Sequence, residues 1–589
     1  MAKAAPSQPA PSAQEKRWID AAPSPEERAG AEALARDLAL SPLLAGLLAG
    51  RGVRTAEEGE RFLDPRLQSL SDPFRLTDLR AAAERVVRAV AQGEKIAVFG
   101  DYDVDGITST ALLTRFLGSV GGKVAAFLPR RLSEGYGLTR QAAERCLAEA
   151  SPRLLIAVDC GTSSPDEVAW LREQGVETVI LDHHELPSRL PRCEALVNPH
   201  RDGHSEYLAS VGLAFKLAHA LLKLEPRWRE RVDLKAFLPF VAMGTVSDLA
   251  PLQEENRVFV RHGLLRLEKI DEGNFEGIRA LVKVSGIRTG AGVTAEDIGF
   301  RLGPRINASG RIDDASESLR LLLTDDPSEA ERIARSLDGM NRERQDLEQK
   351  TLDEATAMLA EGLGGEPGVI LGKRGWHPGV IGIVASRIQK MTGRPAIVIG
   401  FDEAGDGKGS GRSVEGCSLV EGLRGAHESL PGGLLDRYGG HEMAAGLSLR
   451  VERLEAFRTA FNEWMRAAVS PEALRPRLRL DGELPVSSVG ESLFREIGRL
   501  APFGRGNVQP LFAFRRVLQS RPPQRIKEKH LKLFLASNGS RGGEALDAIA
   551  FGFGTRTMPA APLSLAGSLE WDDYKGRVQI RVVDWRGEG

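Results

Sequence analysis

The stretch KIAVFGDYDVDG, residues 95–106, organises our interpretation of the whole chain. Its apolar run 96–99 has the length of a buried strand, and Gly100 ends that run. Three carboxylates follow at alternating positions: Asp101, Asp103 and Asp105. Because like charges repel, a divalent cation is the natural counter-charge, and an acidic turn that caps the next helix is the alternative. On an extended segment, the side chains of Asp103 and Asp105 would point the same way and reach one metal pair.

The composition is that of a globular protein with several domains. The chain has 589 residues, 42% hydrophobic and 27% charged, which predicts three or four globular domains at roughly 150 residues each. The net charge is −2, so any surface that binds nucleic acid must be local. The four cysteines form no CxxC pair, which argues against a disulfide scaffold or a thiolate zinc site. With neither a long apolar run nor a secretory h-region, we expect a cytoplasmic protein.

Short apolar runs alternate with helical segments beyond residue 95. The runs predicted as strands are 96–99, 123–128, 154–158 and 177–181. This alternation is typical of an α/β fold with a parallel sheet. Acidic and imidazole side chains follow three of the four strands, at the edge where open α/β sheets place their ligands.

Breaks in these patterns suggest five segments. They are a tail and helical lead-in at 1–55 with disorder over 1–15, an α/β domain at 56–325, a long connecting helix at 326–362, a second α/β domain at 363–470, and a small β-barrel of OB size at 476–589. The strand 478–480 is assigned to the barrel, and the glycine-rich segments 405–413 and 437–446 are left without a strand assignment.

The acids and imidazoles form the first candidate site. Besides the three opening acids, it comprises Asp159, His183, His184 and Asp248. Imidazole with several carboxylates suits Mn²⁺, whereas carboxylates alone suit Mg²⁺. A cluster of this size can hold two ions, which together lower the pKa of water and clamp phosphoryl oxygens. The alternative is that each residue is an ordinary polar side chain with satisfied hydrogen bonds.

Several motifs carry a family resemblance. GDYDVDG, IAVDCG, LDHHEL and GTVSDLAPL resemble the phosphoesterase motifs of the DHH superfamily. FLPRRLSEGYGL, NPHR, PRINASGRIDDA, NRERQ, GWHPGVIGIVASR, GSGRS, GGHEMAAG, LAPFGRGN and KHLKL resemble, in that order, the bacterial RecJ family of single-stranded-DNA-specific exonucleases. The resemblance implies a DHH phosphoesterase domain, a connecting helix, a DHH-associated domain and a C-terminal OB-fold β-barrel, in agreement with the segments above.

The resemblance also implies roles for individual residues. The positions that match the ligands of two manganese or magnesium ions are Asp103, Asp105, Asp159, His183 and Asp248. Asp101 stands where many relatives have histidine, which leaves its role as a direct ligand open. His184 matches the second signature histidine and would contact the scissile phosphate. Arg130 and Arg131 replace a frequent Asn-Arg pair, so either one would contact phosphate.

Cationic side chains in glycine-rich segments form a second candidate site. Arginine offers a bidentate fork to phosphate, and glycine permits close backbone approach. By resemblance, Arg305, Asn307 and Arg311 in PRINASGR lie beside the metals. Ser410, Arg412 and His441 would form an anion pocket that suits a 5′-phosphate, with flexible glycine loops as the alternative. Trp376 and His377 could stack on a base, although Trp376 is also a reasonable packing residue.

The C-terminal segment supplies the local basic surface. Its cations are Arg515, Arg516, Arg521, Arg525, Lys527, Lys529, His530 and Lys532, with Phe534, Trp571 and Tyr574 as aromatic candidates. Arg525, Lys529 and Lys532 are the predicted contacts to the strand. A basic strip with aromatic faces is how OB-folds follow single-stranded nucleic acid.

These patterns together predict a metal-dependent 5′-to-3′ exonuclease that degrades single-stranded DNA to 5′-mononucleotides in repair and recombination. By family, a helicase and a single-stranded-DNA-binding protein would be partners, and we expect a monomer. One rival function is a DHH phosphodiesterase for very short or cyclic oligonucleotides, although such relatives generally lack the OB-fold. Another is a catalytically silent scaffold, in which metal-site residues should be eroded.

Overall fold

A computed structural model describes residues 16–20, 24–131, 133–203, 208–273, 275–290, 292–312, 314–363, 365–470, 472, 474–536, 545–554 and 556–587. The predicted disorder over 1–15 lies outside these residues. Among the described helices, we find none with the length and apolar character that a bilayer crossing requires. The chain forms two compact units: residues 22–341 with 481–589, and residues 342–480 with an N-terminal segment that ends at residue 21.

A five-stranded parallel sheet is the centre of the larger unit. Its strands, from edge to edge, are Lys123–Phe127, Lys95–Gly100, Leu154–Val158, Glu177–Leu181 and Ala195–Val197. The first four confirm the predicted strands. The fifth was not predicted, because three residues are too few to show a pattern.

Helices cover both faces of this sheet. Leu79–Gln92, Val104–Ser119 and Ser210–Leu224 pack on one face, and Arg140–Ala150 and Pro165–Glu173 pack on the other. The further helices of this part of the chain are Leu238–Ser247, Glu254–Glu268, Glu276–Val284, Ala295–Asp297, Gly303–Ile312 and Ser316–Leu323, with a π-helical turn at Ile298–Leu302. Residues of the strand Lys95–Gly100 alternate between two cores: Ile96 and Val98 face one, and Ala97 and Phe99 face the other. This alternation confirms the predicted α/β fold class.

The C-terminal part of the larger unit is an OB-like sheet. In pairing order, its main strands are Phe512–Gln519, Leu563–Asp572, Arg577–Gly587, Leu546–Ala550 and His530–Ala536, and the two short strands Gly482–Glu483 and Gln524–Ile526 extend its ends. Among the described residues, which omit 537–544, two pairs join the first and last main strands: Leu518 with Ala536 and Gln519 with Leu535. The sheet is therefore OB-like rather than a fully closed barrel.

The N-terminal helices contribute to the core of the OB-like sheet. They are Pro25–Asp37, Pro42–Ala49 and Ala56–Leu63, and a further helix, Glu491–Gly498, lies next to the sheet. Leu44 and Leu48 belong to the same buried cluster as Phe512 and Phe514 of the first strand. The predicted lead-in therefore folds onto a segment more than four hundred residues away, which local patterns could not show.

A long helix, Pro327–Met358, confirms the predicted connecting helix and ends in a π-helical turn at Leu359–Leu363. In pairing order, the sheet of the smaller unit consists of Arg437–Gly440, Ala444–Arg450, Asp406–Arg412, Ala396–Phe401 and Val369–Arg374. Its helices are Pro378–Thr392, Leu419–Glu428 and Leu454–Ala468. The predicted barrel strand at 478–480 is wrong, because Arg477–Leu480 pairs in parallel with Arg17–Asp20.

Glycines at alternate positions form part of a strand in this unit. Gly407, Gly409 and Gly411 are buried, and a Cβ at each position would collide with Phe401, Leu447 or Leu419. The segment that could have been a flexible loop is thus a strand whose missing side chains make room for large neighbours.

Candidate active site

The opening acids lie on a short connection from the strand Lys95–Gly100 into a helix. The helix begins at Val104, and the Asp103 carboxylate accepts hydrogen bonds from the main-chain N–H groups of Asp105 (2.8 Å) and Gly106 (3.1 Å). A Cβ on Gly106 would collide with the main chain of Asp101, so the turn requires glycine. The extended geometry predicted for Asp103 and Asp105 is wrong, because Asp105 already belongs to the first helical turn.

His183 joins the separate acids into one group. Its Nε2 lies 3.2 Å from Asp159 Oδ1 and 3.8 Å from Asp105 Oδ2, and its Nδ1 lies 3.9 Å from Asp248 Oδ2. Asp105 is held by the main-chain N–H groups of Ser210 (2.7 Å) and Val211 (2.9 Å), at the start of a helix. The carboxyl edge of the sheet therefore gathers residues that are far apart in the sequence.

We call this group the acid–imidazole cluster: Asp101, Asp103, Asp105, Asp159, His183 and Asp248. Potential ligand atoms lie within 4.8 Å of one another in three sets: Asp101, Asp103 and Asp159; Asp105, His183 and Asp248; and Asp159, His183 and His184. Two of these sets lie wholly within the cluster and share no residue, a geometry that matches two ion positions. Hard divalent cations prefer this combination of carboxylates and imidazole.

Burial and repulsion between neighbouring carboxylates raise the pKa values of several acids in the cluster. Burial first, and then the charge of Asp103, raises the pKa of Asp101 and of Asp105 to about 7. Burial and the charge of Asp105 raise the pKa of Asp248 to about 8, and burial also raises the pKa of Asp159. Asp101 Oδ2 is buried without a hydrogen-bond partner among the described residues. These carboxylates therefore fit a divalent cation, which would supply the missing positive charge.

Asp182 positions the second signature histidine. Its Oδ1 lies 2.7 Å from His184 Nδ1, and its Oδ2 accepts the N–H of Thr162 at 3.0 Å. Burial opposes ionisation of Asp182, yet the hydrogen bond with His184 holds its pKa below the ordinary value. Burial likewise lowers the pKa of His184, but the Asp182 carboxylate outweighs it and raises that pKa to about 9. The Asp182–His184 pair is thus an oriented, charge-assisted unit beside the cluster.

Sequence reasoning missed two residues at this point. The Tyr136 hydroxyl lies 2.9 Å from His184 Nε2, and the buried Asn198 donates from Nδ2 to His184 O at 2.9 Å and to Thr162 Oγ1 at 3.3 Å. Tyr136 lies in the motif GYGL and Asn198 in the motif NPHR, but only the three-dimensional hydrogen bonds reveal what these side chains contact.

The helix Gly303–Ile312 carries the residues of PRINASGR and lies beside the cluster. A Cβ on Gly303 would lie 2.6 Å from Ser247 Oγ, and a Cβ on Gly310 would lie 3.1 Å from Tyr102 O. Ser247 precedes Asp248, and Tyr102 lies between two of the opening acids. This close packing supports the predicted location of the helix.

Arg305 has an acidic partner on the long helix. Its Nε donates to Asp338 Oδ1 at 2.9 Å, and its Nη2 lies 2.8 Å from the same oxygen. Asn307 is half-buried, and the side chain of Arg311 lies outside the described residues. The assignment of these three residues to phosphate stays a prediction.

The two alternative arginines have different surroundings. Arg130 is exposed, and its Nε lies 3.8 Å from Asp314 Oδ2. The Arg131 guanidinium lies over the Tyr102 ring, 5.1 Å from its centroid. Arg131 therefore lies against the acidic segment itself, and which of the two contacts phosphate stays open.

The predicted anion-binding residues of the smaller unit lie together. Arg412 Nη1 donates to Ser410 Oγ at 3.1 Å, and both side chains face Gly382 of the helix Pro378–Thr392. His441 N donates to the oxygen of Ala444, which pairs with Arg412 across the sheet. Ser410 and Arg412 therefore lie side by side, and the assignment of these residues to a phosphate stays a prediction.

The predicted stacking role of Trp376 is wrong. Its side chain is only 5% exposed, packs in a core with Ile381, and donates from Nε1 to Glu354 Oε2 at 2.7 Å. A buried ring offers no face to a base. His377 caps the following helix by accepting the N–H of Gly379 at Nδ1, and its predicted substrate contact remains untested.

The predicted basic strip is only partly exposed. Arg525 and Lys529 are exposed on the hairpin between Gln524–Ile526 and His530–Ala536. Lys532 is 14% exposed and lies 3.1 Å from the buried Asp547, so its predicted role as a DNA contact is wrong. Of the aromatic candidates, Phe534 is buried, Trp571 packs on Phe494, and Tyr574 is exposed.

Comparisons with known families match three successive parts of the chain. Residues 95–245 match the DHH family N-terminal domain, residues 365–467 match the DHHA1 domain, and residues 480–584 match the RecJ OB domain. The acid–imidazole cluster lies in the first match, except for Asp248, which follows its end.

Similar proteins cover almost the whole chain. The single-stranded-DNA-specific exonuclease RecJ of Bacillus subtilis is 36% identical over 97% of this chain and 71% of its own length. RecJ of Escherichia coli is 36% identical over 92% of this chain and 95% of its own length. The crystal structure of Thermus thermophilus RecJ with Mn²⁺ has a TM-score of 0.81 at 32% identity, covering 97% of this chain and 80% of that one. Its complex with Mg²⁺ has a TM-score of 0.76 at 30% identity, over 97% and 79% of the two chains. This chain belongs to the RecJ family of the DHH phosphoesterases.

Proposed function

We propose that this chain is a metal-dependent exonuclease that degrades single-stranded DNA from its 5′ end to 5′-mononucleotides, in DNA repair and recombination. The observation that carries the proposal is the acid–imidazole cluster, where buried acids meet His183 at the carboxyl edge of the sheet and, among the described residues, form no salt bridge with a lysine or arginine. The RecJ relatives, which are named as exonucleases specific for single-stranded DNA, support the choice of substrate.

We assign two Mn²⁺ or Mg²⁺ ions to this cluster, and the metal-bound relatives support that assignment. When bound, such ions supply Lewis acidity for phosphodiester hydrolysis. Asp103, Asp105, Asp159, His183 and Asp248 would hold them. A ligand atom of Asp101 lies within 4.8 Å of ligand atoms of Asp103 and Asp159, so we include it in the ligand set.

The neighbouring residues would orient the substrate. Asp182 holds His184 in one orientation. The Nε2 atom of His184, which contacts the Tyr136 hydroxyl, would donate to a scissile phosphate oxygen. Arg305, Asn307, Arg311 and either Arg130 or Arg131 would neutralise charge that develops on the phosphoryl group.

The 5′ polarity would come from the smaller unit and the grip on the strand from the OB-like sheet. Ser410, Arg412 and His441 would bind the terminal phosphate. His377, which directly precedes the helix that Ser410 and Arg412 face, would contribute a further contact. Arg525 and Lys529 would contact the strand further along, an electrostatic grip that makes binding salt-sensitive.

We also propose the wider context predicted from the sequence. The domains would be a lead-in at 1–55, DHH at 56–325, the connecting helix at 326–362 and the DHH-associated domain at 363–470. The OB domain, predicted at 476–589, would begin at 481, because Arg477–Leu480 pairs with Arg17–Asp20 instead. The protein would act as a cytoplasmic monomer, supplied with single strands by a helicase and a single-stranded-DNA-binding protein.

A direct assay tests the function. The protein and Mn²⁺ are incubated with single-stranded DNA, duplex DNA and a dinucleotide, each labelled at the 5′ or the 3′ end. We expect early release of 5′-labelled mononucleotide from the long single strand, and no release by the Asp159→Ala variant. Survival of the single strand while the dinucleotide is cut would contradict the proposal.

A further inference from the structure

The segment that follows Asp248 is docked on a turn of the OB-like part of the chain. Leu252 N donates to Arg505 O at 2.7 Å, and Gln253 Nε2 donates to Gly506 O at 3.0 Å. A Cβ on Gly504 would lie 2.7 Å from Leu252 Cδ1, so glycine is needed for this approach. The LAPFGRGN motif thus forms a turn that fits the segment beside a candidate metal ligand.

A buried asparagine holds this turn in one conformation. Asn507 Nδ2 donates to Leu500 O and to Pro502 O, both at 2.8 Å, and its Oδ1 accepts Arg51 Nε at 2.8 Å. Gly504 and Asn507 also form an isolated β-bridge. The tip that carries Arg505 is therefore preorganised rather than free to rearrange.

The Arg505 side chain is exposed at the rim of the acid–imidazole cluster. Its Nη1 donates to the oxygen of Leu249, the residue after Asp248, over a long 3.4 Å. The guanidinium is thus bonded to the main chain one residue away from a candidate metal ligand. The docking of the turn uses the main chain of Arg505, so the guanidinium is not needed to hold it.

Arg505 also differs from the arginine first predicted to bind phosphate beside the cluster. Arg305 already has a close carboxylate partner in Asp338. Arg505 forms no salt bridge among the described residues, although it lies next to a strongly acidic group. An uncompensated guanidinium offers its planar fork to an incoming phosphate without first breaking an ion pair.

We propose that Arg505 is a further substrate-binding residue, which holds a backbone phosphate of the single strand as the strand passes from the acid–imidazole cluster to the OB-like sheet. This inference rests on the proposed function. The other role that the geometry allows is structural: Arg505 would steady Asp248 through its bond to Leu249.

The experiment compares Arg505→Gln with Arg36→Gln, an exposed arginine of the N-terminal helix that gives the same change in net charge. The probes are a 5′-phosphorylated single strand and a series in which one phosphate at a time is a neutral methylphosphonate. Cleavage with Mn²⁺ gives kcat and KM, the Mn²⁺ dependence gives half-saturation, and binding in Ca²⁺ at several salt concentrations gives the salt slope.

We expect Arg505→Gln to raise KM about tenfold with kcat and Mn²⁺ half-saturation within about twofold, and to lower the salt slope by about 0.7. A methylphosphonate at one position near the scissile bond should weaken binding of the strand to the wild type. The same substitution should not weaken binding to Arg505→Gln any further. The proposal would be overturned if Arg505→Gln had the same KM and salt slope as Arg36→Gln, or if its Mn²⁺ half-saturation changed. It would also be overturned if every methylphosphonate position weakened binding to Arg505→Gln as much as to the wild type. Failure of the proposed function is separate, because the wild type itself would then leave the strand intact.

Discussion

Asp547 in the OB-like sheet is as buried as Asp101, Asp105 and Asp159 of the acid–imidazole cluster but has opposite surroundings. Asp547 Oδ2 lies 2.6 Å from Lys575 Nζ, 3.0 Å from Arg577 Nη2 and 3.1 Å from Lys532 Nζ. Burial would raise the pKa of Asp547, but these cations lower it to about 2. In the cluster, by contrast, the pKa of Asp101, Asp105 and Asp248 is raised.

The difference separates two uses of a buried acid. A carboxylate with its own cations contributes to stability and has no need of a ligand. Carboxylates that lack cations make the folded state less stable, and only an incoming cation offsets that cost. A missing partner, rather than burial or acidity alone, therefore distinguishes the candidate active site from a structural ion cluster.

The largest expected effect follows Asp159→Asn. Asparagine tolerates the left-handed backbone at this position (φ 62°), so the fold should persist. Losing one charge should reduce exonuclease activity by about 10³-fold or more, while the metal-free protein becomes more stable by about 1–2 kcal/mol because repulsion falls. Thermal unfolding with and without Mn²⁺, beside a cleavage assay, measures both. A less stable metal-free variant would contradict this account.

The same change at Asp547 should lower the stability of the protein rather than raise it. Asp547→Asn leaves three partly buried cations without their counter-charge, which should lower the free energy of unfolding by about 2–3 kcal/mol. Exonuclease activity measured well below the melting temperature should stay within about twofold of the wild type. Urea unfolding monitored by tryptophan fluorescence gives the stability. If stability were unchanged, the proposed distinction between the two groups of acids would fail.

Asp182→Asn tests whether positioning matters beside the cluster. The amide cannot accept both His184 Nδ1–H and the N–H of Thr162 with full strength, so His184 should lose its fixed orientation. Loss of such an outer partner typically reduces activity about 10–100-fold. We expect the fall in kcat, with an altered pH profile and unchanged Mn²⁺ half-saturation. Asn198→Asp offers a comparison, and an unaltered pH profile for Asp182→Asn would argue for a merely structural residue.

Acid unfolding should report on Asp547 directly. Its pKa is about 2 in the folded protein and about 3.8 in the unfolded chain, so its contribution to stability is fully present above pH about 4. That contribution is lost as the pH falls towards 2, because the unfolded chain then takes up the proton first. We expect Asp547→Asn to flatten the loss of urea stability between pH 4 and 2. The wild type, measured in parallel, sets the slope, and identical slopes would contradict the lowered pKa.

Much of the fold and of the cluster could be predicted, because buried parallel strands are continuous apolar runs and their carboxyl edges collect ligands. Asp101, Asp159 and His183 followed from that rule. Tyr136 and Asn198 did not, because their roles depend on hydrogen bonds to distant loops. The glycine strand Asp406–Arg412 carried a usable signal, since glycine at every second position also follows the period of a strand.

The error at Lys532 has a physical reason that a last, smaller effect can test. A lysine at the right point of a basic strip looks like a DNA contact, yet Asp547, fifteen positions further on in sequence, pairs with it and removes it from the surface. Lys532→Met should lower the free energy of unfolding by only about 1 kcal/mol, because Lys575 and Arg577 still neutralise Asp547.

Binding separates the two possible roles of this lysine. Single-stranded DNA affinity of Lys532→Met should stay within about twofold of the wild type, whereas the matched change at the exposed Lys529 should weaken binding and lower its salt dependence. Fluorescence anisotropy in Ca²⁺ with a labelled strand measures both. If Lys532→Met weakened binding as much as Lys529→Met while stability stayed constant, Asp547 would be a latch on a DNA contact rather than the centre of a structural cluster.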